Sequence, residues 1–189
     1  PFHMRNLSTL AWRVYDAPTK PWHGVVADTE GDDSVYVMRV ERRDGVSQLT
    51  LAHITPTGTE ELAVLEVASA PPHVPDVADF RLLADGGSSV NHMPAICVIG
   101  SGGDIVLMPV DEEASAPAEV VGSVDQGILA AAWSPEEDVL VLITGGEKRL
   151  IVMTREFEVM SETMLSTEAF GDDQPVNVGW GSKSTQFHG

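Results

Sequence analysis

The chain is divided into short apolar runs by glycine, proline and small clusters of polar residues. Val, Ile, Leu and Thr fill the runs, as they fill strands, and long helices are absent from the pattern. Strands are predicted over residues 6–14, 24–29, 34–40, 48–54, 61–67, 77–83, 95–99 and 104–110, then over 119–124, 128–133, 139–143, 149–154, 159–165 and 176–180. Between two of them, Thr144-Gly145-Gly146-Glu147 has the glycines of a tight hairpin. The expected fold class is all-β.

Two features separate the all-β architectures. Several runs are apolar without alternation, among them Ala95-Ile96-Cys97-Val98-Ile99, Val139-Leu140-Val141-Leu142-Ile143 and Leu150-Ile151-Val152-Met153. A sheet wet on one face would alternate, so these strands have both faces covered. Stacked sheets do that, and so do propeller blades packed between neighbours. The second feature is a repeat. Ile128-Leu129-Ala130-Ala131-Ala132-Trp133-Ser134-Pro135 is echoed by Val176-Asn177-Val178-Gly179-Trp180-Gly181-Ser182, with the tryptophans 47 positions apart. That is near the ~40–45 residues of a WD40 blade.

The predicted architecture is a partial WD40-type β-propeller. About three four-stranded antiparallel blades cover residues 17–72, 73–124 and 125–170. A leading strand within 4–16 has no local partner and is expected to close the ring. A trailing strand in 171–189 opens a further blade. Met4 reads as a natural start, with residues 1–3 as a remnant ahead of it. The incomplete blade count reads as a piece of a longer protein. Ala130, Ala131 and Ala132 suit a crowded innermost strand, Trp133 and Trp180 suit a blade core, and Ser134-Pro135 begins a turn. The competing arrangement is a sandwich of three unrelated meanders.

Charge changes the functional picture more than the fold. The 189 residues carry 29 acidic and 11 basic side chains, a formal charge of −18, and no Lys or Arg lies between Arg81 and Lys148. Phosphates need clustered cations, so direct nucleic-acid binding by this segment is not expected. No apolar run reaches the length of a membrane span and no secretory signal opens the chain. Asn6-Leu7-Ser8 then matches the glycosylation pattern by chance, and an intracellular, soluble, acidic protein is expected. Cys97 is the single cysteine, which excludes an intrachain disulfide and a cysteine-rich zinc site.

Candidate chemistry is sparse. His3, His23, His53, His73, His92 and His188 lack the paired spacing of a zinc site. Gly100-Ser101-Gly102-Gly103 has no following Lys and sits between strands, so a β-turn fits better than a phosphate loop. Gly86-Gly87-Ser88-Ser89 does not match the nucleophile elbow. Asp111-Glu112-Glu113 and Glu136-Glu137-Asp138 lack calcium-loop spacing and read as solvated turns. No metal, cofactor or catalytic constellation is predicted. An enzyme reading would need two or more of His23, His53, His92 and Asp104 to converge on a metal in the channel. Arg39, Arg42 and Arg43 form the basic cluster at a strand end; pairing with nearby acids and contact with a partner's acidic patch both fit.

Met4-Arg5-Asn6-Leu7, the block from Gly127 to Met153 with Trp133-Ser134-Pro135, and Val176-Asn177-Val178-Gly179-Trp180-Gly181 followed by Thr185-Gln186-Phe187-His188-Gly189 resemble the N-terminus of the largest Elongator subunit, the IKAP family. The resemblance covers most of this chain and a small part of a family member. It implies part of the first of two WD40-type propellers, followed in the family by a helical repeat region. It also implies a non-catalytic scaffold whose partners are the other Elongator subunits, including the catalytic one that modifies the wobble uridine of tRNA. Dimerisation and tRNA contact are implied for regions outside this chain. Arg42, Arg43, Gln186, Phe187 and His188 are the candidate partner contacts. An isolated fragment, with the apolar faces of its end blades bare, is expected to self-associate, to swap strands, or to occur only with the rest of its protein.

Overall fold

The computed structural model describes residues 2–5, 12–15, 24–27, 35–70, 74, 76–110, 118–166 and 178–180. The first two strands, β1 (Phe2–Arg5) and β2 (Trp12–Tyr15), pair antiparallel from Phe2↔Tyr15 to Arg5↔Trp12. Three four-stranded sheets follow. Blade 1 holds β3 (Gly24–Ala27), β4 (Val35–Arg43), β5 (Val46–Thr55) and β6 (Gly58–Ala68). Blade 2 holds β7 (Val77–Leu83), β8 (Ala95–Gly100), β9 (Asp104–Pro109) and β10 (Glu119–Ser123). Blade 3 holds β11 (Ile128–Trp133), β12 (Val139–Thr144), β13 (Arg149–Thr154) and β14 (Val159–Met164).

In each sheet the strands lie in sequence order and every pairing is antiparallel. Each sheet is therefore an up-and-down meander, as a propeller blade requires. The first strands, β3, β7 and β11, neighbour one another in turn, so they form the inner side. Ala130 and Ala131 on β11 are 3% and 8% exposed, as expected for crowded inner positions.

Alternation within an unbroken apolar strand explains how the blades stack. Residues 95–99 of β8 are all 0% exposed. Ile96 and Val98 join Met38, Leu49 and Leu51 of blade 1 in one core. Cys97 and Ile99 point the other way and join Leu107, Trp133, Leu140 and Leu142 in the core between blades 2 and 3. One strand thus feeds two cores, and the period-2 geometry turns a continuous apolar run into a double-sided wedge. Each fully buried Leu or Ile contributes about 1.5–3 kcal/mol through its removal from water.

The leading region differs from expectation. The described part shows two short strands paired with each other instead of one strand without a local partner, and Phe2 and His3 belong to that ladder. Residues 6–11 lie outside the described residues. Among the described residues no ladder joins β1 or β2 to a blade. The trailing strand is also corrected: residues 178–180 carry no strand, and residues 176–177 lie outside the described residues. The indole N–H of Trp180 donates to the Ala132 carbonyl at 3.2 Å, so a side chain meets β11 there.

The faces of the end blades turned away from blade 2 are not bare. In blade 1, Val35, Val37, Ala52 and Ile54 are 0–2% exposed; in blade 3, Val141 and Ile143 are 9% and 5% exposed. The expected self-association therefore loses its stated cause. No helix among the described residues is long and apolar enough to cross a membrane.

Candidate functional site: the two rims and the outer cleft

A meander of four antiparallel strands puts its second-to-third-strand turn and its outgoing linker at one end, here the upper rim. The two remaining turns form the lower rim. These ends, rather than the strands, carry the polar groups that join blades.

On the upper rim, the turn Gly100-Ser101-Gly102-Gly103 is the β-turn expected, with the Gly103 N–H donating to the Gly100 carbonyl at 3.0 Å. It is also a joint. A Cβ on Gly102 would lie 2.2 Å from the Ala68 carbonyl oxygen of blade 1. A Cβ on Gly103, which has φ +113°, would lie 2.3 Å from the Val124 oxygen in the linker to blade 3. Asp104 extends the joint: its Oδ2 accepts from the Ala68 N–H at 2.8 Å and its Oδ1 from the Ser123 hydroxyl at 3.4 Å. Between blades 2 and 3, Gln126 Oε1 accepts from the Glu147 N–H at 2.7 Å.

The basic cluster finds acids of its own chain. Arg42 donates to Asp76 from Nη2 at 2.5 Å and Nε at 3.1 Å, which ties β4 to the blade 1–2 linker. Arg43 pairs with Glu41 at 3.2 Å while its side chain stays 76% exposed, and Arg39 approaches the same Glu41 at 3.4 Å. Exposed pairs of this kind contribute about 1 kcal/mol or less, so Arg43 stays available to a partner.

The lower rim holds the blade motif. Ser134 Oγ donates to Asp138 at 2.5 Å and accepts from the N–H groups of Asp138 and Val139, which closes the turn after Trp133. Pro135 sits exposed on that turn. Trp133 is 4% exposed and meets Phe157 edge-on at 5.9 Å, so it is the core residue predicted. Trp180 is not; it is 37% exposed. Gln186, Phe187 and His188 lie outside the described residues.

Glu136-Glu137-Asp138 is more than a solvated turn. Glu137 accepts from Arg81 and from the Ala84 N–H of blade 2, both at 3.3 Å, while its carbonyl accepts from Arg155 at 3.0 Å. Glu156 accepts from the Ser88 hydroxyl at 2.6 Å, and that bond holds its carboxyl below the usual range. Asp85 is also lowered, chiefly by the Gly87 N–H, and it pairs with His92 at 3.1 Å. No sequence motif marks Glu137, Glu156, Asp76 or Asp104 as links, because each bonds to a blade distant in sequence.

Asp79 behaves oppositely. It lies on the inner strand β7, and burial pushes its carboxyl above the usual range, with Arg81 opposing. Burial also pushes the Cys97 thiol far up, the Asp79 charge adds to this, and Trp133 pulls the other way. Cys97 is thus an inert core thiol. A raised folded-state value means the ionised Asp79 destabilises the fold above that value, and the cost vanishes below the ordinary 3.8. Asp79→Asn is therefore expected to raise Tm at pH 7 and to lose that advantage as the pH falls toward 3.8. Thermal melts of both proteins across pH check this.

Among the described residues, His53, His92 and Asp104 do not converge. His53 stacks on Tyr36 within blade 1 at 4.6 Å, His92 is on the lower rim of blade 2, and Asp104 is on the upper rim. His23 lies outside the described residues. Among the described residues no three His, Cys, Asp or Glu side chains group closely enough to hold a metal ion. One cleft of about 340 Å³ opens on the outer side between blades 2 and 3, lined by Asp125 and Gln126 of the linker and by Arg149, Ile151, Val159 and Glu162 of blade 3.

Residues 4–189 match the family model for the ELP1 first N-terminal beta-propeller. Elongator complex protein 1 of Mus musculus is 31% identical over 197 residues, which cover 98% of this chain and 13% of the mouse protein. The Schizosaccharomyces pombe protein of the same name is 43% identical over 97 residues, 50% of this chain and 8% of its own length. That of Saccharomyces cerevisiae is 37% identical over 91 residues, 46% of this chain and 7% of its own length. The chain thus spans a small part of these relatives. Three meander blades, wedged by shared apolar strands and matched over nearly the whole length, place it in the family of the ELP1 first N-terminal beta-propeller.

Proposed function

We propose that this segment is a non-catalytic docking module of an Elongator complex, presenting its rims and outer strands to other subunits, the catalytic one among them. The match to Elongator complex protein 1 along 98% of the chain carries this reading. Blades tied by Asp104, Glu137 and Gln126 form a rigid support for exposed loops, which is what a docking surface needs. On this reading the module supports tRNA wobble-uridine modification performed elsewhere in the assembly. RNA contact and dimerisation belong to other regions of the full-length protein, in the cytoplasm and also the nucleus. The −18 charge favours protein over RNA as the direct partner. Arg43, exposed on the upper rim, is a candidate contact, with Arg42 behind it.

Affinity purification of the tagged full-length protein tests the reading. Other Elongator subunits should be recovered, and deletion of residues 4–189 should lower the yield of at least one of them several-fold. Recovery of an unrelated assembly would point to a general WD40 adaptor. Unchanged recovery after the deletion would remove the docking role.

A further inference from the structure

We propose that β14 is an acceptor edge, to which an extended segment of a partner protein, alternating apolar and basic residues, adds as a fifth strand of blade 3. All six residues of β14 are exposed. Seven large apolar side chains are exposed among the described residues, and three of them, Val159 at 57%, Met160 at 60% and Met164 at 59%, are on this one strand. The other two outer strands are protected. β6 carries Glu60, Glu61 and Glu66, and β10 is five residues long with a bulge between Val120 and Gly122. Charges, shortness and bulges are the ordinary devices that stop an edge from pairing. On β14 the charge is Glu162, already held by Arg149 at 2.7 Å.

The backbone of the edge is open in a defined way. The Leu165 N–H donates to the Lys148 carbonyl at 2.8 Å, and the register continues through Arg149↔Met164 and Leu150↔Thr163. Hydrogen-bonded and non-hydrogen-bonded pairs alternate in an antiparallel ladder. Thr163 and Ser161 therefore turn their N–H and C=O groups toward β13, while Glu162 and Met164 turn theirs outward. Among the described residues β14 has a neighbour on one side only.

The outer cleft sets the chemistry of the incoming strand. It lies beside β14, with Ile151, Met153 and Val159 as its apolar wall. Both terminal nitrogens of Arg149 are taken, one by Glu147 and one by Glu162, which leaves Asp125 as the uncommitted charge lining it. A Lys or Arg matches that carboxylate and an apolar neighbour matches the wall. A second copy of this chain would bring a further −18 to the same place, so a basic partner segment is the better occupant. Strand addition of this kind takes its affinity from main-chain hydrogen bonds and its specificity from alternate side chains.

The test uses the full-length protein and a labelled peptide alternating Val and Lys, with an alternating Val and Glu peptide as control. Fluorescence anisotropy should show saturable binding of the Lys peptide only, with slowed hydrogen exchange at Glu162 and Met164. Met164→Pro removes an outward N–H and no ladder bond, so it should weaken binding about tenfold and leave the melt unchanged. Should that variant unfold, Met164→Lys keeps the N–H and places like charge against the Lys peptide, and it too should weaken binding. Retained binding in a folded variant, or equal binding of the Glu peptide, overturns the proposal. Dimerisation of the full-length protein that Met164→Pro abolishes would assign the edge to a second copy and overturn it as well. The proposal deepens the docking reading, yet the two fail separately: no Lys-peptide binding with subunits still recovered defeats the edge alone, and lost subunits with peptide binding intact defeat the docking reading alone.

Discussion

Gly102→Ala is expected to destabilise the chain by about 3 kcal/mol or more, at the upper end of what overpacking costs. The added methyl carbon would stand 2.2 Å from the Ala68 carbonyl oxygen, 2.8 Å from its carbon and 3.0 Å from the Ser69 oxygen. All three are backbone atoms, so no side chain can swing aside. Relief requires blades 1 and 2 to move apart, and that motion also breaks the 2.8 Å bond from the Ala68 N–H to Asp104. Gly58→Ala is the control: a Cβ there meets nothing within 4 Å, and the change should cost less than about 1 kcal/mol. Denaturant unfolding of the two variants measures the contrast. Equal midpoints would mean that the upper-rim joint is looser than its geometry states.

The second large effect is expected at Trp133. The side chain is 4% exposed, meets Phe157 edge-on, and packs in the core that Leu107, Leu140 and Leu142 share between blades 2 and 3. Trp133→Ala leaves a cavity bounded by two blades, and the expected loss is about 3–5 kcal/mol. Trp133→Phe keeps an aromatic ring in place and should lose less than half as much. Cys97 supplies an independent readout. It is buried beside this core, so the Ala variant should react with a thiol reagent far faster than the native chain. Slow labelling in a destabilised variant would show that the cavity closes by collapse of the blades.

The sequence carried most of the strand pattern because that pattern is local. The limits of β7, β11 and β13 coincide with their predicted limits, and the unbroken apolar run 95–99 does face two cores. The ends of the chain were less legible. The single strand predicted over 6–14 did not anticipate that β1 and β2 pair with each other, because pairing partners are not a local property of the sequence. Trp180 repeats the pattern of Trp133 in sequence, yet burial depends on what packs against a residue, and over a third of its surface is open. The inter-blade links were hidden for the same reason. Glu137 lies 56 residues from Arg81 and Asp104 lies 36 from Ala68, and no spacing rule connects them. Ser161, Glu162 and Thr163 among apolar positions are the local mark of a wet outer strand, but the contrast between β14 and the protected β6 and β10 exists only once all three sheets are assembled.

The upper-rim glycines also restrict how such a chain can be rearranged. Blades of similar strand pattern look interchangeable, as parts that could be duplicated, shuffled or transplanted between propellers. The turn of blade 2 admits its neighbours only because residues 102 and 103 lack a Cβ on both sides, toward Ala68 and toward Val124. A blade moved in from elsewhere would have to bring that fit with it. Blade 2 is therefore specific to its position, and recombination within this part of the chain is confined to exchanges that carry the joint along with the strands.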